Sequence, residues 1–129
     1  MLRPEATQTI LMVDDDPEVL RTLEKIMKRK GYQTIPFSNP LLALETMRTR
    51  RPDLILTDLK MPEMDGIQFM QEAKKIHPSV PVVLITAYAT VDTAVSAIQL
   101  GGFDYVRKPF EISRIYAVIE KALESSEGR

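Results

Sequence analysis

The sequence predicts an α/β fold in which a five-stranded parallel sheet, of strand order 2-1-3-4-5, carries helices on both faces. Two observations lead to this prediction. Apolar periodicity alternates between strand and helix five times along the chain. In addition, the segments 10–13, 54–56 and 82–85 are continuous apolar runs bounded by Pro, Asp or Thr. Such runs are typical of strands that are covered on both faces, as in parallel sheets.

The two remaining strands carry features of sheet edges. Residues 32–37 alternate between polar and apolar side chains and include Pro36, which cannot donate a ladder hydrogen bond. Residues 103–106 form a short run of mixed polarity. Strands one, three and four are therefore predicted to be central, which gives the order 2-1-3-4-5 with right-handed crossovers. The connections after strands one and three then leave in opposite directions, and a crevice opens at the carboxyl ends of these strands.

Five helices are predicted between and after the strands. Capping residues and helix breakers mark several of their ends: Asp16-Pro17, Asn39-Pro40, Thr90 and Gly101-Gly102. In the third helix the residues at helical spacing are Ile67, Met70, Ala73 and Ile76. In the fourth helix they are Val91, Ala94, Val95 and Ile98. Each set forms an apolar stripe along its helix, and for Val91 and Val95 a core position and a surface position are both open.

The composition fits a single globular domain. The chain has 129 residues, of which 44% are hydrophobic and 27% charged, with a net charge of −1. This charge balance gives no support for nucleic-acid binding by the domain. The absence of cysteine excludes disulfides and thiolate metal sites. No segment is long and apolar enough for a signal peptide or a membrane span, so the predicted location is the cytoplasm. We expect a domain over residues 7–125, with flexible ends at 1–6 and 126–129, the latter interpreted as the start of a linker.

Polar side chains follow the predicted strands where each strand ends. Asp14 and Asp15 follow the first strand, Asp58 ends the third, Thr86 ends the fourth, and Lys108 follows the fifth. Because the carboxyl ends of parallel strands lie at one edge of the sheet, these residues are expected to converge there. Such a group can hold a divalent cation, accept a phosphoryl group on a carboxylate and neutralise its charge.

Simpler interpretations exist for each residue taken alone. Asp16 is predicted only to cap the first helix, and acidic residues in general stabilise helix N-termini. Asp65 and Gly66 are consistent with an ordinary turn, Thr86 with a strand-end hydroxyl, and Lys108 with a solvated surface lysine. Three consecutive aspartates exceed what a cap requires, however, and their mutual repulsion favours a hard cation such as Mg²⁺. The only histidine, His77, is interpreted as a surface residue at a helix end.

Two enzyme and carrier classes share parts of this pattern. A flavin carrier of this topology requires a phosphate-binding loop after the first strand, where this chain has an aspartate triplet that would repel phosphate. A hydrolase of the haloacid dehalogenase type has its aspartate nucleophile on the first strand, in an Asp-x-Asp-Gly-Thr context that is absent here. Neither class fits the sequence.

The motifs together resemble the receiver domain of bacterial two-component response regulators, which has a flavodoxin-like fold. They are Asp14-Asp15, the segment 57–66 (TDLKMPEMDG), Thr86-Ala87 and Lys108-Pro109-Phe110, and the resemblance covers residues 8–123. It implies that Asp58 is the phosphoacceptor. It also implies that Asp15, Asp14 acting largely through water, and the carbonyl of Lys60 hold Mg²⁺ together with Asp58. Thr86 and Lys108 would contact the phosphoryl oxygens, Tyr105 would be an aromatic switch, and the Lys108–Pro109 bond would be cis.

The resemblance further implies partners and an output. The phosphodonor would be a phosphohistidine on a sensor histidine kinase, and the domain would be a switch rather than a turnover enzyme. Segments such as 102–105 (GFDY) resemble receivers of the nitrogen-regulator type, which implies transcription as the output. A homodimer through the fourth helix, fifth strand and fifth helix is expected. A stand-alone receiver or phosphorelay intermediate that acts by protein docking, with no DNA-binding output, is the alternative.

Overall fold

The computed structural model describes residues 7–87 and 90–127 as alternating strands and helices. The strands are β1 (Thr9–Val13), β2 (Gln33–Phe37), β3 (Leu54–Thr57), β4 (Val82–Thr86) and β5 (Asp104–Arg107). The helices are α1 (Pro17–Arg29), α2 (Pro40–Met47), α3 (Gly66–Ile76), α4 (Val91–Gln99) and α5 (Ile112–Glu127). The helix α5 thus continues two residues beyond the predicted domain boundary at residue 125. Within the described ranges, no helix is long and apolar enough to cross a membrane.

The sheet is parallel and has the order β2-β1-β3-β4-β5, which confirms the predicted topology. Successive residues of the central strands face opposite layers of helices. Ile10 and Met12 of β1 pack toward α1 and α5, whereas Leu11 and Val13 pack toward α2 and α3. The edge position of β2 accommodates Pro36, as expected.

The apolar stripes of α3 and α4 are buried to different extents. In α3, Phe69, Met70 and Ala73 are buried, while Ile67 and Ile76 are half-buried. In α4, Ala97 is buried, whereas Val95 and Ile98 are exposed, so Val95 takes the surface position that the sequence left open beside a core position. The reason is that α4 packs over β5, an edge strand that covers only part of the helix. The side chain of Val91 lies outside the described part of the structure.

Both helices that begin with Asx-Pro have the predicted caps. The Asp16 carboxylate accepts the N–H of Glu18 at the start of α1, and Asn39 accepts the N–H of Leu41 at the start of α2. At the other end of α1, Gly31 has φ +87°, a conformation that glycine adopts without strain. These short connections fix where each strand ends and therefore where the polar residues lie.

Candidate functional site

The candidate site lies at the carboxyl ends of β1, β3 and β4. Asp14 and Asp58 directly follow β1 and β3, which pair through Val13 and Thr57. The N–H of Asp58 donates to the Val13 carbonyl at 2.9 Å and extends this pairing by one residue. Asp14 is held likewise, because its N–H donates to the Phe37 carbonyl of β2. The crevice predicted between strands one and three is therefore lined by these two carboxylates.

Three carboxylates meet in this crevice. Asp14, Asp15 and Asp58 each offer an oxygen, and these oxygens all lie within 4.8 Å of one another. Asp14 and Asp58 are buried, whereas Asp15 is exposed. Carboxylates at short distance repel one another more strongly where the effective dielectric constant is low. The buried carboxylates of Asp14 and Asp58 therefore require positive charge nearby.

Lys108 supplies part of that charge. Its Nζ donates to Asp14 Oδ2 at 2.8 Å and lies 3.4 Å from Asp58 Oδ2. Burial alone would lower the pKa of Lys108, but its hydrogen bonds and charge interactions with Asp14 and Asp58 outweigh burial and raise that pKa. The Lys108–Pro109 peptide bond is cis, as expected.

For Asp14, unlike Lys108, burial is the dominant effect on the pKa. Burial raises the pKa of this carboxyl above its ordinary value, although hydrogen bonds from Lys108 and from the N–H of Asp16 lower it. The charged form of Asp14 is thus only partly compensated by the protein. One ammonium group faces three carboxylates, and a cation with oxygen preference would complete the balance. The donor set therefore fits a hard divalent ion.

The Asp58 carboxylate has two distinct oxygens. Oδ1 accepts the N–H of Leu59 at 2.7 Å, whereas Oδ2 faces Lys108. Lys60 lies two residues further along, exposed in the loop between β3 and α3. Its position beside Asp58 is compatible with the predicted carbonyl ligand.

Thr86 and Tyr105 lie on the neighbouring strands β4 and β5. Thr86 is buried at the end of its strand, and Tyr105 is half-buried one position before Val106. Both line a small cavity of about 10 Å³ together with Leu59 and Ala97. That volume admits about one water molecule.

The chain was compared with known protein families, curated proteins and solved structures. The family of response regulator receiver domains matches residues 10–120. The chain belongs to this family. As a receiver domain of two-component signalling, it is a module of a switch, and the strand-end residues described above are in the positions that the sequence analysis predicted.

Two curated relatives show the same similarity. The DNA-binding transcriptional regulator NtrC of Escherichia coli strain K12 is 39% identical over 114 residues, which are 88% of this chain and 24% of that protein. The regulatory protein AtoC of the same strain is 40% identical over 119 residues, 92% of this chain and 26% of that protein. The receiver domain therefore spans about a quarter of the length of the curated relatives it matches.

Solved structures agree. A CheY-like response regulator receiver domain protein from Methanospirillum hungatei JF-1 has a TM-score of 0.90 at 26% identity, covering 95% of this chain and 98% of that one. The beryllofluoride-activated NtrC4 receiver domain dimer has a TM-score of 0.87 at 30% identity, covering 92% and 98%. The predicted fold class and family are confirmed.

Sequence reasoning missed three supporting residues of this receiver domain. Asp65 does not form a simple turn: it caps α3 reciprocally with Gln68, a pairing that the Asp-x-x-Gln spacing could have revealed. Thr57 donates to the Asp58 carbonyl. His77 is half-buried, not a free surface residue, and its Nε2 lies 2.7 Å from the Met47 carbonyl, which ties the end of α3 to α2. No sequence signal indicated the last two contacts.

Proposed function

We propose that Asp58 accepts a phosphoryl group from a phosphohistidine of a sensor histidine kinase, in a reaction that depends on Mg²⁺. The observation that supports this most is the position of the Asp58 carboxylate, within 4.8 Å of two further carboxylates and 3.4 Å from the Lys108 ammonium. A carboxylate nucleophile needs such surroundings, because the incoming phosphoryl group brings negative charge that must be neutralised.

Asp14, Asp15, Asp58 and the carbonyl of Lys60 are the residues that would hold Mg²⁺. All are oxygen donors, which this hard cation prefers, and we assign Asp14 a contact through retained water. When bound, the ion supplies positive charge to the phosphoryl oxygens. Asp14 and Asp15 would then no longer oppose the arrival of a further anion.

The chain's own groups would perform the transfer. Asp58 Oδ2 attacks phosphorus, an O–P bond forms, the P–N bond to the donor imidazole breaks, and the imidazole leaves with the bonding electron pair. Oδ2 is the oxygen proposed to attack because it faces Lys108, whereas Oδ1 faces the Leu59 N–H. Lys108 lies next to Oδ2 and would neutralise a phosphoryl oxygen, while the Thr86 hydroxyl would donate to another.

Thr86 and Tyr105 would convert this local event into a change of surface. Movement of Thr86 toward the phosphoryl oxygens would enlarge the cavity that it shares with Tyr105 and allow the ring to turn inward. The surface formed by α4, β5 and α5 contains Tyr105 and would change with it. We infer that a homodimer forms through this surface; the beryllofluoride-activated dimer among the structural relatives supports this.

The output is inferred from the relatives. NtrC is named a DNA-binding transcriptional regulator and is about four times the length matched here. We propose that the present domain, over residues 7–125, controls transcription through a connected output domain, makes no nucleic-acid contact itself, and works in the cytoplasm. A stand-alone receiver or phosphorelay intermediate would instead act through protein docking alone.

The test is phosphorylation by acetyl phosphate with Mg²⁺, followed by intact mass. The wild type should gain one phosphoryl group, and Asp58→Asn should gain none. Omitting Mg²⁺ or adding a chelator should stop labelling of the wild type. Equal labelling of the Asp58→Asn variant would refute the assignment of Asp58.

A further inference from the structure

The peptide bond that joins Asp58 to Leu59 is held by two neighbours that do not touch the Asp58 carboxylate. On one side, Thr57 Oγ1 donates to the Asp58 carbonyl oxygen at 3.0 Å. Thr57 is buried, so water does not compete for this hydrogen bond. The carbonyl belongs to the residue directly after β3.

On the other side, the peptide is contacted by Gly66, the first residue of α3. A Cβ at this position would lie 2.1 Å from the Asp58 carbonyl oxygen and 2.9 Å from Leu59 Cα. The Gly66 N–H also donates to the Leu59 carbonyl at 2.7 Å. The reciprocal cap between Asp65 and Gln68 fixes the start of α3, so the close approach cannot be relieved by a small shift of the helix end.

These contacts determine the direction of the Asp58 carboxylate. A peptide group is planar, so holding its carbonyl also fixes the direction of its N–H. The N–H in question is that of Leu59, which donates to Asp58 Oδ1 at 2.7 Å. With Oδ1 held in this way, Oδ2 is the oxygen that faces Lys108.

We propose that Thr57 and Gly66 are positioning residues that clamp the Asp58–Leu59 peptide and thereby aim Asp58 Oδ2 at the incoming phosphorus. This inference rests on the function proposed above. Neither residue would touch the phosphoryl group or the cation. Their effect would be on the rate of transfer, because a reacting atom misplaced by about 1 Å can cost about a hundredfold in rate.

Substitutions of Thr57 separate the hydroxyl from the volume of the side chain. Thr57→Val keeps the shape of the buried side chain but removes the donor, and Thr57→Ser restores the donor. With acetyl phosphate and Mg²⁺ at saturation, labelling of Thr57→Val should slow by about tenfold or more. Thr57→Ser should label at nearly the wild-type rate.

Gly66→Ala tests the other side of the clamp. It should slow labelling at least as much as Thr57→Val does, because backbone atoms must move to admit the methyl group. The matched control is Val82→Ala, a buried position at the opposite end of β4, which lowers stability without contact to the clamp. Measured where all variants are folded, Val82→Ala should label at the wild-type rate.

The outcomes distinguish the clamp from the function on which it rests. If the wild type does not label, or Asp58→Asn labels equally, the phosphoacceptor assignment fails. If the wild type labels at Asp58 and Thr57→Val labels just as fast, the clamp alone is overturned. A Thr57→Ser variant as slow as Thr57→Val would also overturn it, because the hydroxyl would then not be responsible.

Discussion

Asp14 is the residue at which burial and charge are in most direct conflict. Its carboxylate is almost inaccessible to water, and burial raises its pKa above the ordinary value of 3.8 despite the hydrogen bond from Lys108. A carboxyl group whose pKa is raised on folding binds its proton more tightly in the folded chain. Stability of the metal-free domain should therefore fall as pH rises from about 3.8 through the higher folded value. At neutral pH the penalty is fully present.

Asp14→Asn is therefore expected to raise the melting temperature of the metal-free protein at pH 7. The amide keeps an oxygen for the Asp16 N–H, and the gain from removing a buried charge that is only partly compensated outweighs the lost ion pair with Lys108. Thermal melts in the presence of a chelator test this. Asp53→Asn is the control, because Asp53 is a half-buried carboxylate that accepts the Thr9 N–H at the opposite end of the sheet. A melting temperature of Asp14→Asn below that of the wild type would contradict the argument.

At the scale of elements, a tyrosine hydroxyl links α5 to the end of α1. The Tyr116 side chain on α5 donates to the carbonyl of Ile26. This carbonyl is in the last turn of α1, where the N–H of Lys30 bonds to Met27 instead. The Lys30 ammonium lies 4.9 Å from the centre of the Tyr116 ring and adds a cation–π contact. The Tyr116 hydroxyl therefore satisfies a carbonyl at the end of α1, a helix that contributes no residue to the candidate site.

Tyr116→Phe should lower the free energy of unfolding by about 1 kcal/mol, because a partly buried carbonyl loses its donor. Urea unfolding should show a lower midpoint with an unchanged slope. Tyr32→Phe, a half-buried tyrosine in the same core cluster, serves as the control and should have a smaller effect. Equal losses in the two variants would show that the hydrogen bond from Tyr116 to the Ile26 carbonyl is not the cause of the effect.

The strand order could be predicted because its determinants are local. Pro36 excludes β2 from the sheet interior, and continuous apolar runs identify the central strands. The convergence of Asp14, Asp15, Asp58 and Lys108 was predictable because each of them follows the end of a strand. The sequence left the exposure of Val95 and Ile98 open, since helical periodicity indicates an apolar face but not whether a neighbour covers it. The close approach of Gly66 to Asp58 likewise depends on tertiary contacts that its Asp-Gly sequence does not encode.

At the scale of the whole molecule, a bound cation should stabilise the fold. Folding brings Asp14, Asp15 and Asp58 together, whereas the unfolded chain separates them. At Mg²⁺ tenfold above its dissociation constant, binding adds about 1.4 kcal/mol to the free energy of unfolding. For a domain of this size that corresponds to a rise in melting temperature of about 5 °C.

Asp15→Ala should reduce this Mg²⁺-dependent shift. The control is the adjacent Asp16→Ala, because Asp16 caps α1 and is not part of the carboxylate cluster. That variant should lose about 1 kcal/mol with or without Mg²⁺ and keep the full shift. Thermal melts of the three proteins with and without Mg²⁺ make the comparison. An undiminished shift in Asp15→Ala would remove Asp15 from the ligand set.

Self-association is the expected consequence of modifying Asp58. The surface of α4 and β5 has exposed apolar side chains, Val95 at 48% and Ile98 at 43% of full exposure, beside the half-buried Tyr105. Turning Tyr105 inward would change the shape of this surface next to those side chains. To shift a two-state equilibrium from mostly inactive to mostly active takes about 5.5 kcal/mol of differential binding. A phosphoryl group held by Lys108, Thr86 and a cation is a suitable source of such a difference.

Beryllofluoride with Mg²⁺, a mimic of the phosphoryl group, should therefore convert the wild type from monomer to dimer. Sizing chromatography with light scattering measures the mass directly. Thr86→Ala should bind the mimic but dimerise less, and the double variant Val95→Glu/Ile98→Glu should not dimerise at all. Its matched control is Leu41→Glu/Leu42→Glu on α2, where two leucines are equally exposed, at 51% and 54%, at the opposite end of the same helical layer. That control should dimerise like the wild type. An equal mass with and without beryllofluoride would contradict this prediction. Loss of the dimer in the α2 variant, with the dimer kept in the α4 variant, would also contradict it. In either case, association through α4, β5 and α5 is not the response to modification of Asp58.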